Sequence, residues 1–320
     1  MNIKFSIFSV IVCMMLPVLP GMNIFAQTNA TRYRIFRRNA SATLDDIAAA
    51  MRSTDVVFIG EAHDDKIAHE LELELLRRAA LDQAAINDAT KRRAVALSLE
   101  MFERDTQTTL DEYLAGLITE NHFLLASRPW DNYRADYRPL VEFARENRLP
   151  VIAANAPRRY VNRVSRLGGK SLAELPLTAR TWLPPLPFAS ASPAYAAKFA
   201  RLMAGMPATQ TQSATPGTNA PPRHSSTLLE AQALWDATMA HSIAEHLKRT
   251  PAALVVHING KFHTEERLGT PEHLMRYRPG TNFLVITITP VGETVNSNAQ
   301  AIGNAGDFVI VTDATSPSTQ

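Results

Sequence analysis

Two stretches far apart in the chain end alike. Asp55-Val56-Val57-Phe58-Ile59-Gly60-Glu61-Ala62-His63 passes through β-branched and apolar residues to a glycine, two more residues and a histidine. Ala253-Leu254-Val255-Val256-His257-Ile258-Asn259-Gly260-Lys261-Phe262-His263 repeats the plan. An acid and a histidine two residues apart, Glu61 and His63, can share a divalent metal or act as a base and its orienter. The same residues would serve equally well as a cap cluster for a following helix. Lys261 puts a cation beside His263, where it can hold a carboxylate or a propionate. His257 lies within its strand and reads as a core histidine.

Glu100 is the next candidate. It sits just past a buried strand, where a carboxylate is costly unless paired, and Arg104 four residues on can pair with it. That pair is either structural or part of a site. Trp130-Asp131-Asn132-Tyr133-Arg134-Ala135-Asp136-Tyr137-Arg138 is aromatic and basic together. Tyr133 and Tyr137 share one helix face. A phenolate can bind ferric haem iron and Arg138 can meet a propionate, although packing with polar tips is the plainer reading of each tyrosine. No Ser-His-Asp arrangement, Gly-rich phosphate loop or His-Glu-x-x-His spacing is evident.

The elements that must carry these residues alternate. Strands are predicted over Asp55–Ile59, Arg92–Leu99, Pro150–Asn155, Ala253–Ile258 and Asn282–Thr289, with a last edge strand over Gly306–Thr312. Helices are predicted over Asp64–Ala80, Asp105–Leu117, Tyr133–Asn147, Leu228–Lys248 and Pro271–Tyr277, and a loop over Thr119–Trp130. This rhythm indicates an α/β fold with a parallel-rich central sheet flanked by helices. Sites in such folds lie at the carboxyl ends of the strands, so strands ending alike would bring His63 and His263 into one crevice. The domain is expected over 55–313, after a lead-in at 27–54 with a short helix, and the tail over 314–320. Residues 171–206 read as a helical insertion, and the Thr/Ser/Pro-rich 207–227 as a flexible loop.

The chain has 320 residues, 46% hydrophobic, with 33 basic and 31 acidic side chains. That balance leaves no electrostatic footprint for nucleic acid. Lys4, the apolar run Phe5–Pro20 and Phe25-Ala26-Gln27 read as a signal peptide over 1–26, so export to the periplasm or outer membrane is expected. Pro17 and Pro20 interrupt the run, which is short for a membrane span. The single cysteine, Cys13, falls inside the leader, leaving no thiol for disulfides or zinc.

Taken in order, Gly60-Glu61-x-His63, Leu99-Glu100-Met101-Phe102, Trp130…Tyr133…Tyr137-Arg138-Pro139, Ala153-Ala154-Asn155-Ala156-Pro157-Arg158, Gln232…Asp236…Met239-Ala240 and Gly260-x-x-His263 resemble the ChaN-like haem-binding lipoproteins of the haem-binding uptake and Tiki superfamily. The resemblance runs from about Asp55 to Thr289, with Ser171–Ser226 divergent. It implies an exported protein of haem or iron acquisition, serving an outer-membrane haem uptake system. It also implies a homodimer in which haems lie face to face, a tyrosine ligating iron and a histidine of the partner subunit meeting a propionate. Tyr133, Tyr137, Arg138 and Lys261 are the expected haem contacts. Related branches are metal-dependent proteases or hydrolases. By that likeness Glu61, His63 and His263 would hold a divalent metal, and Glu61, His63, Glu100, Arg104 and His263 would form a catalytic site. Val10-Ile11-Val12 before Cys13 lacks the small residues of a lipid-attachment site, a departure from the lipoprotein pattern.

Overall fold

The computed structural model describes residues 32–88, 91–205, 225–294 and 303–313. The expected leader with Cys13, the tail and most of the expected 207–227 loop fall outside these residues.

Eight strands form one sheet in the order β2-β1-β8-β7-β3-β6-β4-β5. They are β1 (Tyr33–Arg37), β2 (Ala40–Ala42), β3 (Val56–Glu61), β4 (Val95–Glu103), β5 (Val151–Asn155), β6 (Leu254–Gly260), β7 (Phe283–Pro290) and β8 (Phe308–Thr312). All pairings from β8 to β5 are parallel, while β1 pairs antiparallel with both β8 and β2. The two echoing segments are thus neighbours, β3 beside β6, with Gly60 opposite Asn259 and Glu61 opposite Gly260.

Both sheet faces are covered, which explains the unbroken apolar runs. Val57, Ile59, Leu97, Leu99, Val256 and Ile258 pack into one core layer, and Val56, Phe58, Ala96 and Val255 into the other. Fully burying one such side chain contributes about 1.5–3 kcal/mol. The first layer is closed by α1 (Leu44–Met51), α2 (Lys66–Ala84), α3 (Gln107–Leu114), α4 (Glu120–Ser127) and α5 (Arg138–Glu146). The second is closed by α9 (Ser225–Arg249) and α10 (Thr270–Tyr277), and α6 (Arg158–Leu167) packs on α9 in a further cluster; α7 (Leu177–Arg180) and α8 (Pro193–Gly205) follow α6 in the chain. A short α11 (Val291–Thr294) follows β7. The 171–206 stretch carries α7, α8 and a 3₁₀ segment, Gly169–Glu174, and Ser225–Thr227 already belong to α9.

Some expectations are corrected. The lead-in forms β1 and β2 as well as α1, so β8 is flanked by β1 and is no edge strand. The supposed loop Thr119–Trp130 contains α4, whose Thr119 side chain accepts from the His122 N–H as an N-cap. Most importantly, β4 runs on to Glu103, so Glu100 lies within the strand.

Gly60 is fixed by space. A Cβ there would lie 2.8 Å from both the Lys261 Cα and the Thr264 Oγ1. The chain leaving β6 therefore crosses directly over the end of β3, and this brings the two strand-end segments together.

Candidate functional site

A cavity of about 700 Å³ opens at the carboxyl ends of β3, β4 and β6, within the range of small-molecule sites. His63, Glu100, Met101, Trp130 and His263 form its floor. Its walls are Ala156, Arg158, Val161, Asn162 and Ser165 on one side, and Phe199, Met203, Leu228, Ala231, Gln232 and Trp235 on the other. The lining is mostly apolar, with imidazole and carboxylate groups at the bottom.

The first group at the floor is the Glu61–His63 pair. The Nδ1–H of His63 donates to Glu61 Oε1 at 2.7 Å, and the Tyr137 hydroxyl donates to the same oxygen at 3.2 Å. The Glu61 side chain is fully buried, whereas that of His63 is 46% exposed. Trp130 meets the His63 ring edge-on, with centroids 4.7 Å apart. Burial opposes the charged His63 imidazole, but the hydrogen bond and charge of Glu61, aided by Glu100, outweigh it and raise the pKa. Behind Glu61, His69 Nδ1 lies 3.1 Å from Glu72 Oε2. Burial and the nearby Glu61 push the Glu72 pKa up to about 7, against the pull of His69. Glu61 Oε2 and Glu72 Oε1 are buried with no hydrogen-bond partner.

The second group surrounds His263. Its Nδ1–H donates to Asp236 Oδ1 at 2.8 Å, an oxygen that also accepts from the Thr270 hydroxyl at 2.8 Å. Its Nε2 lies 3.6 Å from Glu100 Oε1 and 3.4 Å from the Gln232 amide nitrogen. Glu100 Oε2 accepts the Gly260 N–H at 2.8 Å. Burial disfavours the imidazolium here, yet Glu100 and Asp236 prevail and lift the pKa to about 9. His257, three residues before Gly260 on β6, behaves differently: burial and His263 lower its pKa to about 3, and Nδ1 pairs with Ser98 Oγ at 2.9 Å.

Of the residues singled out from sequence, Glu61, His63, Glu100 and His263 converge on one rim. The others do not. Arg104 donates to Ser242 Oγ at 2.6 Å and is not paired with Glu100. Four residues along an extended strand span about 13 Å, whereas a helix would set them side by side. Arg138 forms a two-bond fork with Glu120 at 2.6 and 3.0 Å, away from the cavity. Lys261 donates to Thr289 Oγ1 at 3.0 Å and does not line the cavity. Tyr133 and Tyr137 are both buried in the first core layer, outside the cavity lining. Burial raises both phenols well above their ordinary pKa, and Glu61 and Glu72 add to the shift at Tyr137. Among the described residues, no group of three or more His, Cys, Asp and Glu side chains is arranged to hold a metal ion, Glu61, His63 and His263 included.

Sequence reasoning gave no role to Asp236, Gln232, Trp130, Trp235, Met101 or Arg158. Asp236 and Gln232 carried a usable signal, being polar residues four apart on an otherwise apolar helix face. Trp130, Met101 and Arg158 stood within the motifs that carry the family resemblance, whereas Trp235 carried no signal beyond ordinary core composition.

A mostly parallel α/β sheet with its titratable side chains gathered under an apolar cavity at the strand ends defines a ligand-binding or catalytic α/β protein. The chain belongs to the family described as haem-binding uptake, Tiki superfamily, ChaN, whose profile matches residues 47–274. The fold is similar to that of a solved structure described as cofacial heme binding to ChaN of Campylobacter jejuni, with a TM-score of 0.65 and 15% identity over 89% of this chain and 98% of that one. Weaker likeness is found to the type III effector HopBA1, with a TM-score of 0.43 and 11% identity over 84% of this chain and 93% of that one. RRSP, a MARTX toxin effector domain from Vibrio vulnificus, gives 0.37 and 15% over 86% of this chain and 38% of that one. No curated protein matches the chain significantly.

Proposed function

We propose that this is an exported haem-binding protein of haem and iron acquisition, holding haem in the strand-end cavity. What carries the reading is the pairing of a family that binds haem with a large apolar cavity whose floor presents an imidazole. A porphyrin needs apolar walls, a donor atom for iron and cations for its propionates. Met101, Trp130, Val161, Phe199 and Trp235 supply the walls, and the imidazoles of His63 and His263 are the donors the lining offers. Arg158, 70% exposed at the rim, supplies the cation. As in the Campylobacter protein's cofacial arrangement, two copies would meet over their open cavities and enclose two haems face to face. The described residues include no helix long and apolar enough to cross a membrane. Attachment to a periplasmic or outer-membrane uptake system would depend on the leader.

Titration of hemin into the purified protein tests this. A saturable Soret shift at one haem per chain, with dimerisation on loading, is expected. A chain that leaves the hemin spectrum unchanged would rule the reading out.

A second reading is favoured by one observation. Glu100, His263 and Asp236 form a buried acid–imidazole–acid line beside His63, an arrangement able to activate water. On this reading the protein is a hydrolase of esters or peptides. Hydrolysis lost in both His63→Ala and His263→Ala would support it, and a protein inert with or without added divalent metal would remove it.

A further inference from the structure

We propose that a second cavity, on the opposite face of α9 from the strand-end cavity, binds an apolar chain carrying a single carboxylate, with Arg180 and Lys170 holding the carboxylate head. Its walls and its ligand are independent of the haem-binding reading above.

The first turns of α9 stand between two hollows. Leu228, Ala231, Gln232 and Trp235 face the strand-end cavity. Ser226, Leu229, Glu230 and Ala233 face the second cavity, about half a turn round the helix. This second cavity encloses about 630 Å³, enough for a small molecule. Its other side is shaped by the chain between Gly169 and Ala191, where Leu186, Pro187 and Phe188 make the wall apolar. Burying a hydrocarbon chain against such a wall is favourable in proportion to the area covered.

The charges on the lining choose the head. They are Lys170, Arg180 and Glu230. Glu230 is engaged by the backbone, its Oε2 accepting the Gly169 N–H. Arg180 is held by neutral groups: Nε donates to the Leu175 carbonyl at 2.9 Å and Nη2 to the Ala173 carbonyl. Those carbonyls fix the guanidinium without neutralising it, and three of its five N–H groups remain. The nearby Glu174 is taken by Arg163. Among the described residues no carboxylate pairs with Arg180 or with the exposed Lys170. Two cations against one acid leave a single net positive charge on the lining. A planar carboxylate meets a guanidinium edge with two charge-assisted hydrogen bonds and balances that charge.

The experiment is isothermal titration calorimetry of the full chain with sodium decanoate below its micelle concentration. Saturable binding of one decanoate per chain is expected. Decanol, with the same chain and no charge, should bind about 10- to 100-fold more weakly, the usual worth of hydrogen bonds to a charged group. Arg180→Gln should weaken decanoate binding by a similar factor. The more highly charged decyl phosphate should bind less tightly than decanoate. Ala191→Trp, which fills the cavity from a loop, should abolish decanoate binding and leave hemin titration as in the wild type. Asn162→Trp, on the strand-end cavity, should leave decanoate binding unchanged. A wild type that binds no decanoate, or binds decanol or decyl phosphate as tightly, overturns the proposal. So does decanoate binding that survives Ala191→Trp or is lost in Asn162→Trp. None of these results touches the haem reading, which hemin titration of the same samples tests separately.

Discussion

Gly260 and His63 compete for one space: a Cβ on Gly260 would stand 2.8 Å from His63 Cε1 and 2.9 Å from Nε2. The backbone at Gly260, φ −58° and ψ 132°, is one that any residue adopts. The glycine is therefore required for room and not for conformation. Gly260→Ala should cost about 1–3 kcal/mol by overpacking and push the imidazole off its line to Glu61. Haem affinity should fall in that variant and stay unchanged in Gly292→Ala, where a Cβ meets nothing within 4 Å. Equal affinities in the two would separate the glycine from the site.

Tyr137→Phe removes a buried donor to a buried carboxylate while keeping the ring. A stability loss of about 1.5–3 kcal/mol is expected, typical of a hydrogen bond to a charged group. Denaturant unfolding of the variant measures it. No loss would mean that Glu61 gains nothing from the hydroxyl.

Two histidines give the protein opposite pH limbs. His263 has its pKa raised to about 9 in the folded state, above its ordinary 6.5. Its contribution is complete below pH 6.5 and is lost as the pH rises toward about 9. His257 has its pKa lowered to about 3. The unfolded chain takes up that proton first, so stability falls as the pH drops below 6.5 toward about 3. Each limb should slope by about 1.4 kcal/mol per pH unit per proton. Unfolding curves across pH 4–9 check this. His69, which Glu72 lifts to about 9 against the effect of burial, adds to the alkaline limb, so His263→Gln should make that limb shallower without removing it and leave the acid limb unchanged.

Asn162 is exposed on α6 and lines the cavity. Asn162→Trp should obstruct entry and lower haem affinity several-fold, while stability stays within about 0.5 kcal/mol as for most surface changes. Unchanged affinity would place haem elsewhere.

Much of this was legible in the sequence because the buried parallel strands are written as short apolar runs, and the glycines ending β3 and β6 marked the rim. Val56–Ile59 and Leu254–Ile258 could be placed from such runs alone, and His63 and His263 follow from their ends. The antiparallel β1 and β2 were not legible, because five- and three-residue half-exposed strands leave almost no periodicity. Arg104 was misplaced because its spacing from Glu100 means contact only on a helix, and β4 continues through both Glu100 and Glu103. The tyrosines suggested phenolate chemistry by type, yet their burial is a tertiary fact. Asp236 lies on a distant helix and reaches His263 only through the packing of α9 across the sheet end.

Crystals of the hemin-loaded protein, with anomalous scattering collected at the iron edge, test the central claim most directly. The iron peak should lie in the strand-end cavity, among its lining residues. A peak bonded to Tyr133 or Tyr137, or one on the outer surface away from the cavity, would contradict it.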